Sequence, residues 1–176
     1  IRPIRDLAGA DSFNEVTFDD VMLREDDLVG QAGAGWAQAT SELAFERSGP
    51  DRYLSSYPAL SLGLDALAAN PVPGAEVTVG RMVARLSALR GMSLSVGGML
   101  ERGEDPAVEA ALVKDVGNVF EQALPEHLRG LLDPEDSPAE LRALLAALTQ
   151  LTPTFSLRGG TREILRGIIA RDLGLR

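Results

Sequence analysis

The chain has 176 residues, no cysteine, one histidine and a formal net charge of −9. The missing cysteines exclude disulfides and thiol chemistry, and a single histidine excludes a histidine-rich metal site, so we expect no metal centre. The acidic balance argues against nucleic acid as a partner, because contacts with phosphates need a basic surface. Hydrophobic residues make up 45% of the chain and aromatics only 5%, a composition typical of helices packed on helices.

Residues 1–33 differ from the rest of the chain. In SFNEVTFDDVMLREDDLVG, β-branched and aromatic residues such as Val16 and Phe18 partly alternate with polar ones. This pattern predicts one or two strands. Two strands cannot bury both faces alone, so the segment is expected to pack on other strands of a β-domain. We place a domain boundary after residue 33.

From residue 34 to residue 176 apolar residues recur at helical spacing. The first helix is expected in AGWAQATSELAFERSG, where Trp36, Leu43 and Arg47 share a face, and Pro50 interrupts the pattern. A long helix follows through EVTVGRMVARLSALRGMSLSVGGML. Its apolar residues are expected to face the core: Met82, Leu86, Leu89, Val96 and Leu100.

The next helix is expected to open in DPAVEAALVKDVGNVFEQAL with Asp105 as the N-cap residue. Ser137 and Glu140 form a capping-box pattern at the start of the following helix. A last short helix begins near Thr161, with Ile164 and Leu165 on its apolar side. The helix after Asp105 is expected to bury a single apolar row: Val108, Leu112, Val116, Val119 and Phe120.

The predicted fold is therefore mainly α. It is an antiparallel bundle of four longer helices plus a short carboxyl-terminal helix, preceded by a small β segment. Leucine and alanine stripes of this kind are mostly core, so the pattern alone indicates no function.

Two phrases carry more information. These are FNEVTFDDVMLREDDLVGQAGAGWAQATSELAFERSG near the start and RGGTREILRGIIARDLGLR at the end. In order and content they resemble the acyl-CoA dehydrogenase family, from the late strands of its middle β-domain through its carboxyl-terminal helical bundle. The resemblance covers nearly the whole chain. It implies that the sequence corresponds to the second half of a subunit.

The resemblance implies a reaction as well. Members of this family remove an α-proton from an acyl-CoA thioester with a carboxylate base, while the β-hydrogen leaves as hydride to FAD. A general base of this kind contributes about 10²- to 10⁴-fold to the rate. A carboxylate in an apolar pocket has a raised pKa, which matches it to the weak carbon acid.

Many family members carry that glutamate in the loop before the last helix, and here the matching position is Gly159. A second family pattern, like that of isovaleryl- and long-chain acyl-CoA dehydrogenases, places the base in an E-R dipeptide on the first bundle helix. This chain has Glu46-Arg47 at that place. The resemblance therefore implies Glu46 as the catalytic base.

The remaining site residues follow from the same resemblance. The arginine of the dipeptide is expected to brace the loop, and a loop backbone N–H to polarise the thioester carbonyl. The helix start after the loop is expected to contact FAD. The substrate-binding residues implied are Phe45, Arg47, Gly159 and Gly160. The cofactor-binding residues implied are Thr161, Arg162 and Glu163.

The partners implied are an acyl-CoA substrate, electron-transfer flavoprotein as electron acceptor, and further subunits in a homotetramer or heterotetramer. Oxygen as the acceptor, as in acyl-CoA oxidases, stays open. The chain has no apolar run long enough to cross a membrane. Sixteen arginines accompany the single lysine Lys114, which points to a GC-rich bacterial genome. The protein is expected to be cytoplasmic.

Two family patterns are missing from this sequence. An R-x-x-FG motif is expected after the first bundle helix, where LDALAANPVPGAEVTVGRM stands, and a Q-x-x-GG-x-G stretch is replaced by LLAALTQLTPTFSL. These patterns contribute to FAD sites between subunits. Their loss keeps open a second hypothesis, that the chain is a non-catalytic helical scaffold subunit of a heteromeric acyl-CoA dehydrogenase.

Overall fold

The structure, a computed structural model, describes residues 1–7 and 9–175. The chain divides into two compact units, Ile1–Ser41 and Glu42–Arg176. The first unit holds the only two strands found among the described residues, and the second is helical. The domain boundary after residue 33 stays a prediction.

In the first unit, β1 (Arg2–Ile4) pairs antiparallel with β2 (Phe13–Glu15), with Arg2 opposite Glu15. The alternating sequence thus contributes one short strand, whose partner lies before it. Extended structure does not continue through the acidic pair that follows, where Asp20 adopts a φ of 47°, a left-handed conformation. A 3₁₀ turn (Glu25–Asp27) and helix α1 (Gly35–Ser41) complete this unit.

The second unit begins with α2 (Leu43–Ser48) and a 3₁₀ turn (Pro50–Arg52). The predicted first helix is therefore divided at Glu42, and its two parts fall into different units. The predicted helical bundle is confirmed, with α4 (Ala75–Glu101), α5 (Ala107–Leu131), α6 (Ala139–Phe155) and the short α7 (Arg162–Asp172) at the predicted places. The fourth longer helix is α3 (Tyr57–Ala69), and not the predicted first helix.

Helix α5 is the centre of the bundle, because it contacts α2, α3, α4, α6 and α7. Neighbours on several sides bury residues beyond a single stripe, including positions that a single-stripe pattern assigns to solvent. Along α4, in contrast, the predicted row is confirmed, with Met82, Leu89 and Val96 each at most 2% exposed.

The predicted buried row of α5 is mostly wrong. Phe120 is buried, but Leu112, Val116 and Val119 are 37–41% exposed. The face that turns inward instead carries small, apolar and polar residues together: Ala110, Ala111, Val113, Lys114, Gly117, Asn118, Glu121, Leu124 and Leu128. The polar members of this face have a structural consequence, described below.

Helix starts were predicted unequally well. Thr161 caps α7 as expected, its hydroxyl accepting from the Ile164 N–H at 3.5 Å. The Ser137 capping box is wrong, because Pro138 is the N-cap residue of α6 and the Ser137 hydroxyl donates to the Asp133 carbonyl at 2.7 Å. Asp105 lies one residue before the observed N-cap of α5, within the usual uncertainty of helix ends.

No helix in the described part of the chain combines the length and apolar character that crossing a membrane requires.

Candidate active site

Helix α2 meets the loop between α6 and α7, which we call the terminal loop (residues 156–161). The Arg47 Nε–H donates to the Gly159 carbonyl at 3.0 Å, across 112 residues of sequence. Arg47 is only 8% exposed, and this burial lowers its pKa from the ordinary arginine value, while the charge of Glu46 opposes the shift. The E-R dipeptide and the glycine loop, singled out separately in the sequence, are thus neighbours.

The Glu46 carboxylate lies directly beside the terminal loop. A Cβ atom placed on Gly159 would be 3.2 Å from Glu46 Oε1. The Glu46 side chain is 42% exposed, so it is accessible from outside the protein. A half-exposed carboxylate beside a half-buried stretch of backbone is an arrangement that can accept a proton from a molecule bound against that backbone.

Arg52 holds Glu46 in place. Its Nε–H donates to the Glu46 carbonyl at 2.8 Å and its Nη2 to the Glu46 carboxylate at 2.5 Å. The Arg52 side chain is 7% exposed, and charge-assisted bonds of this kind are the stronger ones in proteins. Sequence analysis missed Arg52, because only the 3₁₀ turn after α2 brings it back to the glutamate.

Both loop glycines have left-handed backbone conformations, with φ of 70° at Gly159 and 103° at Gly160. A Cβ atom at Gly160 would lie 3.5 Å from Arg47 Nη2, and one at Gly159 would also meet Lys114 and Arg52 at 3.4 and 3.5 Å. The conformation therefore disfavours a side chain at both positions, and at Gly159 the close approach to Glu46 Oε1 adds a tight contact. Within residues 1–7 and 9–175, neither glycine N–H donates to another group.

The other predicted site residues have more varied surroundings. Phe45 is 62% exposed. The Arg162 Nε–H, at the start of α7, donates to Asp115 Oδ1 at 2.7 Å. Glu163 is exposed, and hydrogen bonds from its own backbone N–H and the Thr161 hydroxyl lower its pKa. Thr161, Arg162 and Glu163 thus share one helix start, with Arg162 already paired inside the chain.

Beneath the terminal loop lies a feature that sequence analysis missed, which we call the α5 polar row: Lys114, Asn118 and Glu121, each 0% exposed. Lys114 Nζ donates to the Phe155 carbonyl at 2.7 Å and to the Asn118 side-chain oxygen. Burial, with the charges of Arg52 and Arg158 adding to it, lowers the pKa of Lys114 to about 8.

Glu121 forms the other end of this row. Its carboxylate accepts from the Ser55 N–H at 2.7 Å and from Arg158 Nη2 at 2.9 Å. Burial raises the pKa of Glu121, whereas Arg158 and Ser55 act to lower it. Arg158 Nη2 is also within hydrogen-bond distance of the Asp51 carbonyl, at 3.0 Å, and the Ser55 hydroxyl, at 2.8 Å. The one signal in the sequence was that Lys114 is the chain's single lysine.

Comparison with known proteins gives a consistent result. No protein-family model matches the chain. The chain is 30% identical over 189 aligned residues to acyl-CoA dehydrogenase FadE34 of Mycobacterium tuberculosis, covering 99% of this chain and 24% of that protein. A shorter match, 51% identical over 47 residues, links 27% of the chain to 12% of acyl-CoA dehydrogenase IpdE1 of Mycolicibacterium smegmatis.

Solved structures agree on the fold. A structure described as an acyl-CoA dehydrogenase from Mycobacterium smegmatis superposes with a TM-score of 0.77 at 21% identity, covering 91% of this chain and 44% of that one. The Tcur3481-Tcur3483 steroid ACAD gives a TM-score of 0.73 at 21% identity, covering 98% and 47%. The chain therefore spans about a quarter of FadE34 and less than half of each structural neighbour.

Proposed function

Because the chain is a homologue of the acyl-CoA dehydrogenases and has the fold of their carboxyl-terminal helical domain, we propose that it supplies the catalytic base of a flavin-dependent enzyme of this family. The reaction is α,β-dehydrogenation of an acyl-CoA thioester. Residues 1–33 then belong to a middle β-domain, and residues 34–176 form the carboxyl-terminal bundle.

One observation carries the proposal: the Glu46 carboxylate lies against the vacant side of Gly159, where a Cβ atom would come within 3.2 Å of Oε1. A carboxylate on α2 thus reaches the loop position from which a loop residue would otherwise act. Arg47 ties the same loop to the same helix through the Gly159 carbonyl. Base and loop are therefore held together by neighbouring residues of one short helix.

The chemistry balances with one base. The Glu46 carboxylate takes the α-proton of the bound thioester, the α,β double bond forms, and the β-hydrogen leaves with its electron pair. Bound FAD would supply the acceptor for that hydride. The reaction requires the Glu46 carboxylate to be ionised at the start, and the Arg52 guanidinium binds that carboxylate.

The terminal loop supports the same step. The Gly159 and Gly160 N–H groups are free of acceptors within the described residues, so they can donate to the thioester carbonyl as enolate charge develops. A preorganised donor of this type is worth about 3–4 kcal/mol in the transition state. The absence of side chains at both glycines lets a substrate approach the backbone closely.

The start of α7 fits the polar part of a flavin cofactor. Its first turn presents the Thr161 cap and an exposed Glu163, and the helix amino terminus favours anionic or hydroxyl-rich ligands. Arg162 keeps 26% of its side chain exposed despite its bond to Asp115, so it can contact a ligand without leaving that partner. These three residues would hold FAD.

The partners follow from the proposed reaction. Acyl-CoA is the substrate, electron-transfer flavoprotein accepts the electrons, and the bundle assembles into a homotetramer or a heterotetramer. The relatives come from mycobacteria, which supports a bacterial enzyme, and we place it in the cytoplasm.

A second candidate function is a helical scaffold subunit without chemistry of its own. The observation that favours it is the Glu46–Arg52 bond, because Arg52 Nη2 lies 2.5 Å from Oε1, the same oxygen that faces Gly159. A base in this state has to keep its free oxygen directed at the substrate. The two functions give opposite results in one experiment.

The experiment uses the assembled flavoprotein that contains this chain. Addition of acyl-CoA is expected to bleach the flavin absorbance of the unaltered protein, and Glu46→Gln is expected to abolish bleaching while flavin stays bound. Glu42→Gln is the matched control, since Glu42 is exposed and one helical turn earlier. Equal bleaching rates in Glu46→Gln and the unaltered protein would remove the catalytic assignment and leave the scaffold function.

A further inference from the structure

The α5 polar row is unusual for the centre of a helical bundle. Lys114, Asn118 and Glu121 lie at spacings of four and three residues, on one face, with no exposed surface. Burying charged groups costs free energy even when they are paired, and apolar replacements of such groups are often neutral or stabilising. Packing of the bundle alone therefore does not account for the row.

The partners of the two end residues, Lys114 and Glu121, indicate what the row does. Lys114 Nζ donates to the carbonyl of Phe155, the last residue of α6. Glu121 accepts from Arg158, which lies three residues after Phe155. The Arg158 guanidinium also lies 4.3 Å above the centre of the Phe155 ring. Both ends thus hold the segment that leads into Gly159.

That segment needs external anchors. Gly159 and Gly160 are consecutive and both have positive φ, and glycine restricts its own backbone less than any other residue. Ordering such a pair costs more conformational entropy than ordering ordinary residues. On its other side Arg47 anchors the Gly159 carbonyl, so the anchors from α5 and α2 hold the chain before and after the Gly159 α-carbon.

The same network reaches the glutamate. Arg158 bonds to the Asp51 carbonyl in the 3₁₀ turn Pro50–Arg52, and Arg52 of that turn binds Glu46. The loop and the carboxylate are thus attached to one short turn. The loop is held at Asp51, one residue before Arg52, so a shift of the loop would be opposed next to the residue that fixes Glu46.

We propose that the α5 polar row is a positioning device: Glu121 through Arg158, and Lys114 through the Phe155 carbonyl, fix the Gly159 backbone at its distance from Glu46. Its catalytic consequence rests on the function proposed above. Glu121, Lys114 and Arg158 are positioning residues in this account, because they act through the loop and touch no reacting atom. Misplacing reacting groups by about 1 Å can lower a rate about 100-fold.

The test compares Glu121→Gln and Arg158→Lys in the assembled flavoprotein. Gln keeps an acceptor for Ser55 but loses the charge that binds Arg158. Lys keeps the charge but lacks the planar guanidinium that lies over the Phe155 ring. Amide hydrogen exchange of residues 156–161 is expected to become at least about tenfold faster in both variants. The matched controls are Glu109→Gln on α5 and Arg81→Lys on α4, both exposed positions.

Turnover gives the second readout. Both variants are expected to lower kcat by about 10- to 100-fold while KM changes less than about threefold, with flavin content unchanged. A purely structural role would instead reduce the folded fraction and leave kcat per folded enzyme intact. Faster exchange with an unchanged kcat, or unchanged exchange in both variants, would overturn the proposal.

The exchange measurement separates this proposal from the proposed function. If Glu46→Gln retains full turnover, the assignment of Glu46 as the base fails. Hydrogen exchange in the Glu121→Gln and Arg158→Lys variants still decides whether the row holds the loop: accelerated exchange supports that role, and unchanged exchange contradicts it. If Glu121→Gln does not fold, Arg158→Lys decides, because the Arg158 side chain is 32% exposed and tolerates replacement better.

Discussion

Arg52 binds Glu46 at two points, the backbone carbonyl and the side-chain carboxylate. A single buried guanidinium therefore fixes both the end of α2 and the direction of the carboxylate. The 3₁₀ turn Pro50–Arg52 makes this possible, since it returns the chain towards α2 directly after the helix ends.

Replacing Arg52 by Lys should weaken this arrangement, because an ammonium group cannot make both contacts in the same geometry. We expect the free energy of unfolding to fall by about 1–2 kcal/mol. A double-mutant cycle with Glu46→Gln measures the side-chain part, expected at about 1 kcal/mol or less since Glu46 is half exposed. A coupling energy of zero would show that the carboxylate is not held by Arg52.

Gly159→Ala should destabilise the protein and reduce turnover together. The φ of 70° costs alanine about 1–2 kcal/mol, and the new methyl group would lie 3.2 Å from Glu46 Oε1. Urea unfolding and kcat of the assembled flavoprotein measure the two effects. Gly97→Ala is the matched control, because Gly97 lies within α4 with open space around its Cβ position. That change should stabilise by about 0.5–1 kcal/mol, and equal behaviour of the two variants would contradict the account of the loop.

Lys114 should make stability depend on pH in the alkaline range. Its pKa is about 8 in the folded protein and 10.5 ordinarily. Between these values the unfolded chain retains a proton that the folded chain has lost, so the free energy of unfolding rises with pH. The rise is at most about 1.4 kcal/mol per pH unit.

Urea unfolding of the unaltered chain and of Lys114→Met, from about pH 7 to pH 10.5, measures this dependence. Because Lys114 is the only lysine, the difference between the two pH curves isolates its titration. Parallel curves would mean that the buried amine titrates normally.

Asp115 should link α5 to α7 through two unequal ion pairs. Arg162 donates to it at 2.7 Å with a 26% exposed side chain, and Arg166 at 3.3 Å with a 60% exposed one. Arg162→Ala is therefore expected to lower the free energy of unfolding by about 1 kcal/mol and Arg166→Ala by less than about half of that. High salt should reduce both losses. The reverse order would show that the more exposed pair carries the link.

The fold was predictable where a helix has one buried side. The α4 row of Met82, Leu89 and Val96 follows a simple periodicity, and the Thr161 cap precedes a helix with a single apolar face. For α5 the same reasoning failed. A helix surrounded by neighbours has no single stripe, and periodicity cannot show that a lysine and a glutamate are buried.

The candidate site was predictable only through a family resemblance. No spacing rule relates Glu46 to Gly159. The two residues lie far apart in the sequence, and the fold brings them together. Arg52, Glu121 and Arg158 carried no recognisable motif, because their roles depend on partners in other helices. Residues that act through tertiary contacts leave little trace in a single sequence.

The empty side of Gly159 also limits how this arrangement could evolve. Three charged side chains border the space that a larger residue would enter, and the nearest atom is Glu46 Oε1. An acidic residue at this position would therefore crowd the one on α2 and place two like charges side by side. The glycine and the glutamate are therefore expected to change as a pair during divergence.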